Sequence, residues 1–241
     1  MQSSPSSDNA RPFLTWQRIT DWAHAHYRAR MFNKDERIPT RSGLLYLVER
    51  GAVRLVGSAQ DVSSGEPDPD FDVSDDDGSA SLALGLSEEA FLGFVGAGQP
   101  FEIVAQSPFV LQSFAHIDQT TVIWLYWSDL DNWPHFRREV LDAFRYQHQR
   151  KLLWLGTLGQ RRTIDRLLGF LTLLIEEFGE PYEAGYYLPW SLTHAQIGSA
   201  IGSTRVTVTR LMGKLRQRKL IHIYKDGLIA IPGDPLLARE A

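Results

Sequence analysis

Arg205, Thr209 and Lys214 are left on the outside of a helical segment with an unusual charge pattern, with Arg210 and Arg216 on its flanks and Val206 following Arg205. From Ser203 to Lys225 there are seven Lys or Arg and no Asp or Glu. Chance rarely clears acid from so long a run, and a phosphate backbone attracts this sign of charge. At the start of a helix, Arg205 can hold guanine O6 and N7 together in its planar fork, worth roughly 1–3 kcal/mol of discrimination. Arg210 follows about one and a half turns later and can reach a base edge or a phosphate. Val206 accepts no hydrogen bond, but it can pack on a thymine methyl. Ser203, Thr204, Thr207, Thr209 and Lys214 are candidate phosphate or secondary contacts, and Thr193 can combine a helix cap with a phosphate contact. This is recognition chemistry. No Ser/His/Asp grouping or carboxylate pair has a spacing that suggests catalysis, so no enzyme is read.

The elements that must position these residues are two helices joined by a tight turn. Thr193 caps the first, whose apolar face is Ala195, Ile197, Ala200 and Ile201. Gly202 makes the turn, where glycine has no steric cost. Thr204 or Ser203 caps the second helix, and Val208, Leu211, Met212 and Leu215 face inward. That is the plan of a helix-turn-helix, whose second helix enters a major groove. Two ordinary packed helices with a charged outer face are the competing reading; the acid-free run decides against it. After Lys219, LIHIYKDGLIAI reads as a two-stranded wing turning at Asp226–Gly227. Before the pair, Arg161 to Phe178 reads as a helix burying Ile164, Leu167, Leu168, Leu171, Leu174 and Ile175, and GEPYEAGYYLP as a turn or small hairpin.

From Pro134 a long helical stretch carries Leu141, Phe144, His148, Leu152 (or Lys151), Leu155 and Leu158 at alternating steps of about three and four. Such a seam beside a compact domain predicts a homodimer. His148 on it reads as a hydrogen-bonded structural histidine, with a pH switch as the alternative. The front of the chain alternates instead. An amphipathic helix from Phe13 to about Tyr27 precedes short strands at Met31–Phe32, Ile38, LLYLVERGAVRLVG, Leu82–Leu84, Ala90–Val95, Phe101–Val104, Phe109–Phe114 and Thr121–Tyr126. Glycine and proline turns between them suggest a β-barrel or jelly roll. Residues 59–80 hold eight acids and no base, and read as a solvated, mobile loop whose acids do not fit EF-hand spacing.

The expected class is therefore α+β: an N-terminal jelly-roll β-barrel, a long dimerisation helix and a C-terminal winged helix-turn-helix. The divisions are a disordered tail at 1–12, a barrel domain at 13–132, the dimerisation helix at 133–159 and the winged domain at 160–241. Charge divides likewise. Residues 1–139 carry 11 basic and 20 acidic side chains, and residues 140–241 carry 14 and 9, within a net charge of −4. An acidic front and a basic back suit a sensor joined to a nucleic-acid module. With no cysteine, disulfides, thiolate zinc sites and thiolate-held iron–sulfur clusters are excluded. No run reaches the length of a membrane helix and the N-terminus has no signal-type segment, so a cytoplasmic location without membrane contact is expected.

This order of elements resembles the CRP/FNR family of bacterial transcription regulators. LLYLVERGAVRLVG resembles the family's strand–glycine–strand signature, and FVGAGQPFEI the turn before its ligand pocket. TLGQRRTIDRLLGFLTLLIEEFG and LTHAQIGSAIGSTRVTVTRLMGKLRQRKLIHIYKDGLIAI look like the nitrogen-control (NtcA-type) branch. The resemblance implies a cyclic-nucleotide-binding-like barrel, with Phe101, Glu102, Ile103, Val104 and Gln147 as candidate effector-pocket residues. It also implies a palindromic site with GTA-type half-sites, a homodimer, and double-stranded DNA and RNA polymerase as partners. In the catabolite-activator branch a glutamate stands where this chain has Val206, which moves the expected readout toward the nitrogen branch.

The sensor half departs from the pattern. Cyclic-nucleotide binders carry a glycine–glutamate pair and a later arginine–serine pair that holds the phosphate. Here Pro100–Phe101 precedes Glu102, and AQSPFVLQSFAHID has no arginine, so a cyclic phosphate would lack its cation. The nitrogen branch holds 2-oxoglutarate with a barrel arginine plus helix residues; those helix positions fall here on Gln147 and Leu152, with Arg150 and Lys151 the nearest cations. The expectation is a degenerate or altered pocket and no cofactor. A regulator responding to 2-oxoglutarate or another small molecule, and a dimeric adaptor, stay open as alternatives. Haem through a histidine also stays open, without paired-ligand spacing in its favour.

Overall fold

Leu44–Arg50 (β3) is buried on both faces, which a strand needs when it is covered from two sides. Tyr46 and Val48 point into a core between two sheets, and Leu45 and Leu47 point outward under helices. The computed structural model describes residues 17–59, 90–104, 109–182 and 185–233. The expected tail at 1–12, the strand at Leu82–Leu84 and nearly all of the acidic loop lie outside these.

Two four-stranded antiparallel sheets form the jelly roll. One has the order β1 (Ala29–Phe32), β8 (Thr120–Tyr126), β3, β6 (Pro100–Phe101); the other β2 (Arg37–Ile38), β7 (Phe109–Ala115), β4 (Ala52–Ala59), β5 (Ala90–Gly96). The β3–β4 turn passes through Gly51 at φ 86°, a region glycine tolerates. The strand expected at Phe101–Val104 shortens to Pro100–Phe101, because pairing with β3 stops at Tyr46↔Phe101. Between the sheets lie Phe32, Ile38, Tyr46, Val53, Val95 and Phe101, the Tyr46 and Phe101 rings stacked 5.0 Å apart.

Outside the first sheet, α1 (Gln17–His26), a short 3₁₀ turn (Trp127–Asn132) and the long helix α2 (Pro134–Leu158) cover Leu45, Leu47, Ile123 and Leu125. Pro134 sits in the first turn of α2, where its missing N–H costs nothing. Phe136, Val140 and Ala143 form its buried face.

Beyond α2 come α3 (Thr163–Phe178), a hairpin β9 (Glu180–Tyr182) and β10 (Gly185–Tyr187), then α4 (His194–Ile201), α5 (Arg205–Gln217), β11 (His222–Ile223) and β12 (Ile229–Pro232). The α3 helix starts at Thr163 rather than Arg161 and also buries Phe170 and Leu173, while Leu168 is half-buried. Two segments that read separately join in one sheet, in the order β11-β12-β10-β9. This domain packs on the second sheet of its own barrel. Phe91, Phe94 and Ala52 belong to the same apolar cluster as Leu171, Trp190, Ile197 and Ile201.

Candidate nucleic-acid interface

Thr193 caps α4 through a reciprocal pair. Its Oγ1 accepts from the Gln196 N–H at 3.1 Å, and the Gln196 side chain accepts from the Thr193 N–H at 2.9 Å. Gly202 ends the helix in the left-handed region, at φ 61°. Thr204 then caps α5, its hydroxyl oxygen accepting from the Thr207 N–H at 3.2 Å and its proton going to Thr207 Oγ1 at 3.0 Å. The turn leaves no room beside Gly198, where a Cβ would stand 2.7 Å from the Ser203 carbonyl oxygen. This requirement was invisible in the sequence, because nothing marks which helical glycine faces a neighbouring backbone.

Val208, Leu211, Met212 and Leu215 are buried beneath α5. Arg205, Thr209, Arg210 and Lys214 are exposed, and so is Val206 at 79%. A valine that open gains nothing from the fold and is free to meet a thymine methyl. Thr193 and Thr204 are exposed at the two N-caps; Ser203 and Thr207 are half-buried. Arg205, Val206, Thr209, Arg210 and Lys214 thus lie on the solvent side of α5, away from its buried Val208, Leu211, Met212 and Leu215, and Thr193 and Thr204 stand at the two N-caps. Among the described residues, Arg205, Arg210 and Lys214 make no ion pair. The wing turns through Gly227 at φ 82°, bridged by Gly227 N–H donating to the Tyr224 carbonyl at 3.0 Å.

The helix α2 turns its residues to different duties. Leu141, Leu152 and Leu155 are exposed at 45%, 48% and 62%, with exposed His148 on the same stripe. The half-buried Phe144 stacks its ring on Trp127 at 6.1 Å, within its own protomer. Leu158 also turns inward, against the C-terminal core. The reason is that the stripe drifts around a straight helix, while the barrel and α3 capture whatever faces them.

The candidate effector residues separate as well. Glu102, Phe101 and Gln147 line a cavity of about 270 Å³ between β5, α2 and α3. Gln147 donates to the Pro100 carbonyl at 2.9 Å. Ile103 lies instead in the inter-sheet core, and Val104 is 55% exposed. Arg150, noted in the sequence merely as a nearby cation, is the centre of a buried network. It donates to Glu176 at 3.0 Å, to Glu177 at 3.3 Å and to the Leu173 carbonyl. Burial pushes the Glu177 carboxyl above its ordinary range, against the opposing pull of Gln99 and Arg150.

Contacts between barrel and C-terminal domain escaped sequence reading entirely. The Phe91 N–H donates to Ser199 Oγ at 2.9 Å, and Trp154 Nε1 donates to the Ala200 carbonyl at 3.1 Å. His116 Nε2 meets the Ser191 carbonyl at 3.1 Å, 4.6 Å from the Phe94 ring. Burial lowers the His116 pKa to about 4, and the hydrogen bond to Ser191 opposes this without reversing it.

Residues 165–239 match the Crp-like helix-turn-helix domain. The global nitrogen regulator of Nostoc sp. is 47% identical over 73 residues, 30% of this chain and 33% of that protein. That of Synechococcus elongatus is 48% identical over 92 residues, 38% of this chain and 41% of that protein. The chain therefore spans between a third and about two-fifths of the length of these relatives. Among solved structures, FixK2 from Bradyrhizobium japonicum aligns with a TM-score of 0.63 at 17% identity, covering 88% of this chain and 96% of that one. A mutant CooA from Carboxydothermus hydrogenoformans aligns at 0.61 with 18% identity, covering 89% and 87%. At such identities the likeness is one of fold, and it extends through the barrel as well as the C-terminal domain. No helix among the described residues is long and apolar enough to cross a membrane.

Proposed function

We propose that this CRP/FNR-family chain, whose C-terminal domain is similar to that of the global nitrogen regulators, is a sequence-specific transcription regulator that works as a homodimer in the cytoplasm. Its site is a palindrome of GTA-type half-sites about one helical turn apart, and it acts there together with RNA polymerase. The observation that carries the reading is the α5 face. Arg205, Val206, Arg210 and Lys214 are presented to solvent on a capped helix, in a run of seven Lys or Arg without one acid. Arg205 reads guanine, Val206 packs on a thymine methyl, and Arg210 takes a base edge or phosphate. Thr193, Ser203, Thr204, Thr207 and Lys214 hold the backbone, Thr193 and Thr204 with the N–H groups of the helices they cap.

Leu141, His148, Leu152 and Leu155 form the dimer seam of this reading. Three exposed leucines on one stripe leave apolar area in water that a twin helix would cover, at about 25 cal/mol per Å². The effector pocket is altered: the cations that would hold a cyclic phosphate or a dicarboxylate at the barrel are missing, and Arg150 is occupied by glutamates of its own chain. The test is anisotropy with a GTA-type palindromic duplex and a scrambled duplex of equal composition at fixed salt. A preference of about 10³ or more supports sequence-specific reading. Equal binding to both duplexes contradicts it.

A further inference from the structure

We propose that the cavity between the barrel, α2 and α3 binds a small, neutral, aromatic molecule, and that Arg150, Glu176 and Glu177 form an internal counter-ion set that keeps anions out. This rests on the reading that the effector pocket is altered, and names what the altered pocket takes.

Size comes first. The cavity is about 270 Å³. An apolar cavity of about 150 Å³ holds benzene, and pockets for larger ligands begin near 300 Å³. One ring or two fused rings fit between those limits. The wall is mostly ring and branched-chain carbon, including Leu92, Phe101, Phe144, Trp154, Phe170 and Leu174. Rings at several tilts, such as Trp154 and Phe170 at 36° and Phe91 and Trp154 at 61°, present both faces and edges to a planar guest.

Charge decides the class. Two cations line the space, Arg150 and Lys151. All three guanidinium nitrogens of Arg150 are engaged: one with Glu176 at 3.0 Å, one with Glu177 at 3.3 Å and one with the Leu173 carbonyl. These side chains are 13%, 3% and 12% exposed for Arg150, Glu176 and Glu177. Gln99 donates to the second Glu177 oxygen at 2.9 Å, so the set is anchored on the barrel turn as well. Lys151 lies at the exposed rim, and its charge also acts on Glu177. Glu102 adds a third carboxylate to the two that face Arg150. An entering anion would have to break a charge-assisted pair or stay buried beside carboxylates, and both are costly. A neutral ring displaces nothing charged.

The position gives the guest leverage. Phe170, Leu174 and Phe178 come from α3, in the C-terminal domain, while Leu92, Phe101 and Glu102 come from the barrel. A molecule held there touches both bodies. Its contacts change if they move apart, which is the differential interaction that biases an equilibrium.

The experiment is calorimetry on the full chain with indole and with indole-3-acetate, which carries the same ring with a carboxylate. The expected result is saturable indole binding, with indole-3-acetate weaker by about tenfold or more. Leu92→Trp fills the cavity from a half-buried edge position and should abolish indole binding; Phe170→Leu, a milder change, should weaken it several-fold. Glu176→Gln combined with Glu177→Gln frees Arg150 and should narrow or reverse the discrimination. Thermal melts establish that each variant is folded. Indole-3-acetate binding as tightly as indole, no saturable indole binding, indole binding untouched by Leu92→Trp, or discrimination unchanged in the double variant would overturn the proposal. DNA is absent from these titrations, so their failure is distinct from failure of the DNA-binding reading.

Discussion

His194 Nδ1 and Thr209 Oγ1 lie 2.8 Å apart, which ties the first residue of α4 to the middle of α5. The Thr209 hydroxyl proton goes to the Arg205 carbonyl at 2.9 Å. With the Thr209 proton on that carbonyl, the matching His194 tautomer is the one protonated on Nδ1. One threonine thus fixes the crossing of the two helices and engages the carbonyl of the residue proposed to read guanine. Thr209→Val keeps the shape and loses both bonds. The expected cost is about 1 kcal/mol, seen as a lower urea midpoint at unchanged slope.

Gly198→Ala should reverse the usual helix rule. Alanine inside a helix ordinarily gains up to about 1 kcal/mol over glycine. Here the new methyl would sit 2.7 Å from the Ser203 carbonyl oxygen, which is backbone of the turn and cannot swing aside. A net loss of about 1–3 kcal/mol is expected by chemical denaturation. A gain in stability would show that the α4–α5 turn is looser than described.

Acid should weaken the fold through His116. Its pKa is about 4 in the folded chain and 6.5 for an unperturbed histidine, because burial disfavours the imidazolium. A lowered base pKa means the unfolded chain binds more protons between these values. The stabilising effect of the neutral ring is therefore complete above about pH 6.5, is lost as pH falls toward 4, and changes no further below that. The shift corresponds to about 3 kcal/mol. Melting temperatures measured from pH 7 to pH 4 should fall, and His116→Phe should flatten this part of the profile. An unchanged slope in the variant would remove His116 from the account.

Leu155→Asp together with Leu152→Asp places charge on the exposed stripe of α2 without touching its buried face. Sedimentation at micromolar concentration should show a dimer for the parent chain and a monomer for the variant, with the helical signal retained. A monomeric parent chain would contradict the seam.

The legible parts of this protein were those whose spacing carries a period. α5 shows its buried Val208, Leu211, Met212 and Leu215 at helical steps, and the caps and the left-handed Gly202 are local chemistry. The alternation that marked the barrel strands works because each strand's pleat is also local. The stacking of Phe144 on Trp127 was not legible, because heptad spacing does not say where the barrel meets a ring. Arg150 was undervalued for a related reason: its partners Glu176 and Glu177 stand 26 and 27 positions away, and no period links the two segments. The docking of Ser199 on Phe91 and of Ser191 on His116 left no trace, since contacts 108 and 75 residues apart impose no pattern on either segment.

Whether Arg205 reads a guanine is decided by a double-mutant cycle. Affinities of the parent chain and of Arg205→Ala are measured for the GTA-type palindrome and for one with the guanine replaced in each half-site. The parent chain should lose about 1–3 kcal/mol per half-site on guanine replacement, while Arg205→Ala, already weaker, should discriminate far less between the two duplexes. Unchanged affinity and unchanged base preference in Arg205→Ala would contradict it.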